Sequence, residues 1–209
     1  QSASIIARGR VQQEWQFTDN LHIALQLGVS PQLVAQRLAT LKAQNSLPSW
    51  DFGERASAEG QTGPQPCTLD IPLLKQWVDA LNTRRLDQLA ELYSPQAQTH
   101  APGGRTLCGG AEVSRYWLSL LAAIPDGQIT AQLTVHDNKQ RQLGMNWHFR
   151  GHHTGPGLSV KPSGKRITLQ GNLQLTYSEK KIDEEWVMFD ELDLLAQVCE
   201  CSDTIDSLF

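Results

Sequence analysis

Between Lys181 and Val198 the segment KIDEEWVMFDELDLLAQV changes its period. Ile182 to Phe189 reads as a strand, in which side chains point alternately to opposite faces, whereas Leu192, Leu194, Leu195 and Val198 recur near helical spacing. Trp186, Met188 and Asp190 therefore share one face of an extended segment, and Asp190 stands where strand gives way to a short amphipathic helix. Two roles fit an acid at this junction. Asp is a favoured N-cap residue, worth about 1 kcal/mol, and the same position can face a pocket walled by Trp186 and Met188, which otherwise read as plain core.

Upstream, the same reasoning lays out the rest of the chain. Pro31 opens a helix whose apolar stripe is Leu33, Val34, Leu38 and Leu41. Residues 48–68, PSWDFGERASAEGQTGPQPCT, are rich in Gly, Pro and polar residues and read as a linker. Ile71, Leu74, Trp77, Val78 and Leu81 predict a helix with Pro72 in its first turn, and Leu86, Leu89 and Leu92 a second, shorter one. Gln96 to Ala101 reads as a short strand running into the loop HAPGGRTLCGG. A third helix carries Val113, Tyr116, Trp117, Leu120, Leu121 and Ile124 and stops at Pro125-Asp126-Gly127. Strand signals follow at residues 128–136, 142–150, 165–177 and 182–189. Three helices and then a run of antiparallel strands predict an α+β domain: a curved sheet with helices across one face, closed at one end into a cone.

The two ends of the chain repeat one another. Arg10 to Leu27 aligns without a gap to Lys181 to Val198, pairing Glu14 with Glu185, Trp15 with Trp186, Asp19 with Asp190, Leu21 with Leu192 and Gln26 with Gln197. Such self-similarity marks duplicated units. The organisation expected is a remnant of a preceding repeat over residues 1–28, a helix and linker over 29–68, the main domain over 69–199 and a tail over 200–209. The remnant keeps the last hairpin and helix of its repeat but lacks the walls of a pocket.

Composition narrows the function. The chain has 209 residues, a net charge of −4 and 19 % charged residues, with Lys and Arg scattered, so no basic stripe points to nucleic acid or to an anionic membrane surface. No apolar run approaches the about 18 residues of a membrane helix, and the expectation is a cytoplasmic protein. Cys199-Glu-Cys201 is too tightly spaced for an ordinary zinc pair. His148, His152 and His153 lack an accompanying carboxylate motif such as H-E-x-x-H. No metal is expected.

Residues 69–199 resemble the SnoaL-like polyketide cyclase family, also called ester cyclases, of the nuclear-transport-factor-2-like superfamily. The residues that carry the resemblance are His100-Ala-Pro-Gly-Gly, Ala123-Ile-Pro-Asp, Trp147-His-Phe-Arg-Gly-His-His153-Thr-Gly, Lys161-Pro-Ser-Gly-Lys-Arg166 and Glu185-Trp-Val-Met-Phe-Asp190-Glu-Leu, in the family's order. The resemblance implies the superfamily's cone-shaped α+β barrel, the NTF2-like or cystatin-like architecture. It also implies an acid at Asp190 that performs a cofactor-free intramolecular aldol condensation. The loop GHHTGPG over residues 151–157 and the extension CECSDTIDSLF depart from the usual family pattern.

That chemistry needs a base for an activated carbon and a donor for the oxygen that becomes negative. Asp190 and His100 are the expected catalytic pair, with Tyr116, Trp147, His153, Trp186 and Met188 around the substrate. The expected ligand is a small hydrophobic carbonyl compound, with no cofactor, and the chain is expected to form a homodimer or an internal pseudo-dimer of repeats. Because one fold hosts many functions, the alternative is a non-catalytic ligand-binding or dimerisation module in which Asp190 only caps a helix.

Overall fold

The computed structural model describes residues 2–7, 10–44, 67–158 and 160–199. Most of the expected linker and the whole tail lie outside these residues. The chain begins with a hairpin, β1 (Ser2–Ala7) and β2 (Arg10–Gln16), followed by helices α1 (Asn20–Gln26) and α2 (Pro31–Ala43). The main domain runs α3 (Pro72–Asn82), α4 (Leu86–Glu91), β3 (Tyr93–Ala101), β4 (Arg105–Cys108), α5 (Gly109–Ala123), β5 (Gln128–Asp137), β6 (Gln142–His152), β7 (Arg166–Ser178), β8 (Lys181–Phe189) and α6 (Glu191–Val198).

Strands β3 to β8 form one sheet in the order β4-β3-β8-β7-β6-β5. Each neighbouring pair is antiparallel except β3 and β8, which run parallel, with Thr99 opposite Glu185 and His100 opposite Trp186. The expected α+β fold is therefore present, with one parallel pair inside a sheet otherwise built from antiparallel neighbours. Register shifts at Ala131/Leu133 and Thr176/Tyr177 are the bulges that bend strands and deepen the curvature. The loop expected between His100 and the third helix contains a short strand of its own, β4, which pairs back on β3.

Helices α3, α4 and α5 cover one face of the sheet. The period read from the sequence sets which side they bury: Leu74, Trp77, Val78 and Leu81 of α3, and Val113, Trp117, Leu120 and Leu121 of α5. At the centre Trp117 meets Trp77 edge-on at 5.3 Å between ring centroids and Trp147 at 6.1 Å. Trp147 fits because residue 171 on the neighbouring strand is glycine: a Cβ there would lie 2.0 Å from its ring. Arg84, at φ 62°, ties the end of α3 to the turn after α5 by donating to the carbonyl oxygens of Leu81, Asn82, Pro125 and Gly127.

The N-terminal helices dock on α6 and make a second, smaller core. Leu21, Ala35 and Ala39 pack with Leu192, Ala196 and Cys199, and Lys42 forms an ion pair with Asp193. Ala35 is wholly buried there, so α2 rests on small side chains, with Leu33 of the expected stripe left exposed.

Candidate active site

Asp190 follows the last residue of β8 and is the N-cap of α6, accepting from the Asp193 N–H at 2.9 Å. Its other oxygen accepts from the Asn20 side-chain amide at 2.6 Å. The carboxyl is half-buried, and desolvation raises its pKa above the ordinary value against the pull of these two donors. An N-cap at this point satisfies one of the amide groups that the first turn of a helix leaves without a partner.

Asp19 caps α1 in the same way, accepting from the His22 N–H at 2.9 Å. It does more than cap: both its oxygens also accept from the Gly103 N–H, at 3.0 and 2.9 Å, and Oδ2 takes the Gly104 N–H at 3.2 Å. Gly103 and Gly104 stand at φ 79° and 67°, a conformation costly for other residues. A Cβ on Gly104 would lie 2.3 Å from His22. The loop that follows β3 is thus fastened to the N-terminal helix by one carboxylate. Beside it, Arg105 holds Glu191 through two hydrogen bonds of 2.5 and 3.1 Å, and its guanidinium lies 5.9 Å from the centre of the Tyr116 ring.

Tyr116, on α5, packs against the main core. Its hydroxyl is buried without a hydrogen-bond partner, as are Trp117 Nε1 and Trp147 Nε1. Burial, with Glu191 next, holds the Tyr116 phenol well above its ordinary pKa, so it remains a neutral donor. Deeper in the same core lies Glu185, which is fully buried. One of its oxygens accepts from the Tyr93 hydroxyl at 2.9 Å and the Thr99 hydroxyl at 2.8 Å, and Trp77 Nε1 donates to Tyr93 at 3.1 Å. Desolvation raises the Glu185 pKa to about 7, and the donors Thr99, Tyr93 and Trp77 oppose it.

The expected site residues divide between the two faces of the sheet. Tyr116 and Trp147 lie in the core under the helices. Glu185, Val187 and Phe189 of β8 are buried on that side, so the alternation sends Trp186 and Met188 to the opposite face. There His100 stacks on Trp186, with 5.3 Å between ring centroids and 24° between planes, and approaches Glu184 at 3.5 Å. A groove of about 690 Å³ runs along that face, bordered by Leu133, Val135, Asn146, Asn172, Gln174 and Trp186; Asp190 is not part of its wall. His153 joins neither group. It is fully buried in the turn between β6 and β7, where its Nδ1 meets Ser163 Oγ at 3.1 Å and its backbone closes the loop with Gly164 and Lys165.

Two kinds of residue escaped the sequence reading. Glu185 was visible as the neighbour of Trp186, and the alternation that sends one outward sends the other inward. Asn20 follows the repeat's second acid, and the repeat gave no sign that it reaches across to the first. Among the described residues no three His, Cys, Asp or Glu side chains gather closely enough to hold a metal ion, and no helix is long and apolar enough to cross a membrane.

Residues 72–198 match the family model of the SnoaL-like polyketide cyclases. Among solved structures, AclR of Streptomyces galilaeus, assigned as a hydroxylase, aligns with a TM-score of 0.54 and 20 % identity over 60 % of this chain and 92 % of its own. A protein of Jannaschia sp. CCS1, assigned as a SnoaL-like polyketide cyclase, gives 0.56 and 14 % over 64 % and 96 %. IdmH of Streptomyces antibioticus, assigned as a polyketide cyclase, gives 0.52 and 23 % over 60 % and 94 %. A protein of ketosteroid isomerase-like fold from Catenulispora acidiphila gives 0.52 and 15 % over 61 % and 92 %. At these identities the likeness establishes the fold. A search among curated proteins finds no match.

Proposed function

The chain belongs to the SnoaL-like polyketide cyclase family through residues 72–198, and on that premise we propose that it is a cofactor-independent enzyme of cyclase or isomerase type acting on a hydrophobic carbonyl compound. The observation that carries the proposal is the state of Asp190: a half-buried carboxyl, raised above the ordinary range, at the strand-to-helix junction. As a carboxylate it removes a proton from a carbon beside a carbonyl. The enolate carbon then bonds to a second carbonyl carbon of the same molecule, and the protonated Asp190 returns the proton to the new alkoxide. The bonds from Asn20 and Asp193 take one lone pair of each oxygen and leave a second.

A second reading, a non-catalytic binding or dimerisation module, is favoured by one specific feature: the groove on the far face contains Trp186 and lies beside the His100 stack, away from Asp190. Incubation of the full chain with a panel of hydrophobic diketones and keto-esters tests the two. Intramolecular aldol closure gives a product of unchanged mass and altered chromatographic retention. That product is expected from the wild type and not from Asp190→Asn at an unchanged melting temperature; equal turnover by the variant overturns the assignment of Asp190.

A further inference from the structure

Residues directly opposite one another on neighbouring strands carry their side chains on the same face of a sheet, so the register lays out the face turned away from α3 and α5. One row crosses five strands: Val135 of β5 stands opposite Gly144 of β6, Gly144 opposite Gln174 of β7, Gln174 opposite Trp186 of β8, and Trp186 opposite His100 of β3. Only the second position of this row lacks a side chain. Gly151 and Gly171, the other glycines of β6 and β7, are required by packing, since a Cβ would lie 2.5 Å from Ile124 and 2.0 Å from Trp147. A Cβ on Gly144 would meet nothing nearer than 3.8 Å. The register runs unbroken through Gly144 on both sides, so no bulge accounts for it. Glycine inside a strand weakens it, and where neither packing nor a bulge asks for one it marks the close approach of another molecule. The groove of about 690 Å³ on this face has Gly144 in its wall.

We propose that this groove is a binding site for an uncharged planar aromatic molecule, seated over Gly144 between Val135 and Gln174, with the Trp186 indole as its far wall. Strands β5 and β7 stand about 10 Å apart across β6, so the missing side chain leaves a slot about one ring wide. Val135, 58 % exposed, is an apolar rim on one side. Trp186, steadied by its stack on His100, offers a flat aromatic surface on the other. One row along, Asn172 donates to Asn146 at 2.7 Å and both are buried, so the polar contact open to a ligand is the exposed Gln174 amide, which can serve a ring substituent as donor or acceptor. Asp137 is the one charged side chain among the described residues that line the groove, and with no cation beside it an anionic ligand is disfavoured. The volume is that of a small-molecule site. A second copy related by a two-fold axis through this face would set groove against groove and fill neither. The proposal deepens the reading of this protein as a ligand-binding module by naming the class of ligand, and it stands whether or not Asp190 is an acid catalyst.

The probe is 6-propionyl-2-dimethylaminonaphthalene, an uncharged naphthyl ketone whose emission moves to the blue when it leaves water. Titrated into the full chain, it is expected to bind saturably. Gly144→Val fills the slot with a side chain suited to a strand, and is expected to weaken binding at least about tenfold with no fall in melting temperature. Val135→Lys changes an exposed rim position, is expected to weaken binding about tenfold, and tests the proposal even if the valine variant does not fold. 2-Naphthoate, which carries a negative charge, is expected to displace the probe at least about tenfold less well than the uncharged 2-acetonaphthone; equal displacement overturns the assigned class. Asp190→Asn is expected to leave binding unchanged, and loss of binding in that variant moves the site and overturns the proposal. Saturable binding that Gly144→Val and Val135→Lys leave unchanged also overturns it while the binding-module reading survives, whereas absence of saturable binding overturns both. Sedimentation velocity adds the remaining outcome: a wild-type dimer that Gly144→Val converts to monomer gives this face to a second copy and overturns the proposal.

Discussion

Asn20 donates its side-chain amide to the Asp190 carboxylate across 2.6 Å, joining residues 170 positions apart. The bond favours the ionised acid, while burial at the junction opposes it. Asn20→Ala removes the donor, so the Asp190 pKa is expected to rise further, as followed by carbon-detected NMR titration of the aspartate side chains. The lost bond to a charged group is expected to cost about 1–3 kcal/mol in denaturant unfolding. An unchanged titration would mean that solvent already does what Asn20 does.

Asp190 serves a helix and, in our proposal, a reaction, and two substitutions separate these duties. Asparagine caps a helix about as well as aspartate, so Asp190→Asn is expected to keep its stability while turnover falls by at least about 100-fold. Asp190→Ala loses both, with about 1 kcal/mol of stability lost to the missing cap. A comparison of the two melting temperatures with the two rates is sufficient to check this.

Glu185 links stability to pH with an unusual sign. Its folded pKa of about 7 lies above the ordinary 4.5, so the folded chain holds this proton more tightly than the unfolded chain. The contribution is full below about pH 4.5, declines as pH rises, and is gone above about pH 7, a swing of about 3 kcal/mol at 1.36 kcal/mol per unit. Urea unfolding at a series of pH values is expected to show this decline in the wild type and a flatter profile in Glu185→Gln. Parallel profiles would contradict it.

Gly171 makes room for Trp147, and a methyl group at that position would lie 2.0 Å from the indole. Overpacking of this kind costs about 1–3 kcal/mol. Gly171→Ala is expected to lower the melting temperature, and Trp147→Phe in the same chain to recover part of the loss by shrinking the ring. Absence of any recovery in the double variant would place the strain elsewhere.

Much of the architecture could be read from periodicity, because the helices and strands of the main domain each bury a face and the period reports which one. Pro72 and Pro31 sit in the first turns of α3 and α2, where the sequence put them. The parallel pairing of β3 with β8 was not legible, since alternation fixes the faces of a strand and not the direction of its neighbour. The same limit explains the divided site. Trp186 and Met188 share a face, as their spacing requires, but spacing does not say on which side of the sheet the helices lie. Once α3 and α5 cover the side of Glu185, Val187 and Phe189, the more conspicuous aromatic faces away from them and the inconspicuous acid faces in. His153 illustrates a different limit. The resemblance suggested a lining role for it, whereas it lies in the 13-residue connection between β6 and β7 and meets Ser163 there.

The fastening of Gly103 and Gly104 by Asp19 has a practical corollary for anyone dissecting this chain. A fragment cut to the family match, residues 72–198, would retain the sheet, the aromatic centre and Asp190. It would discard the carboxylate that anchors the loop after β3 and the amide that steadies the acid. Sequence kinship and chemical completeness have different borders in this molecule, and an inert excised domain would report on the scissors rather than on the protein.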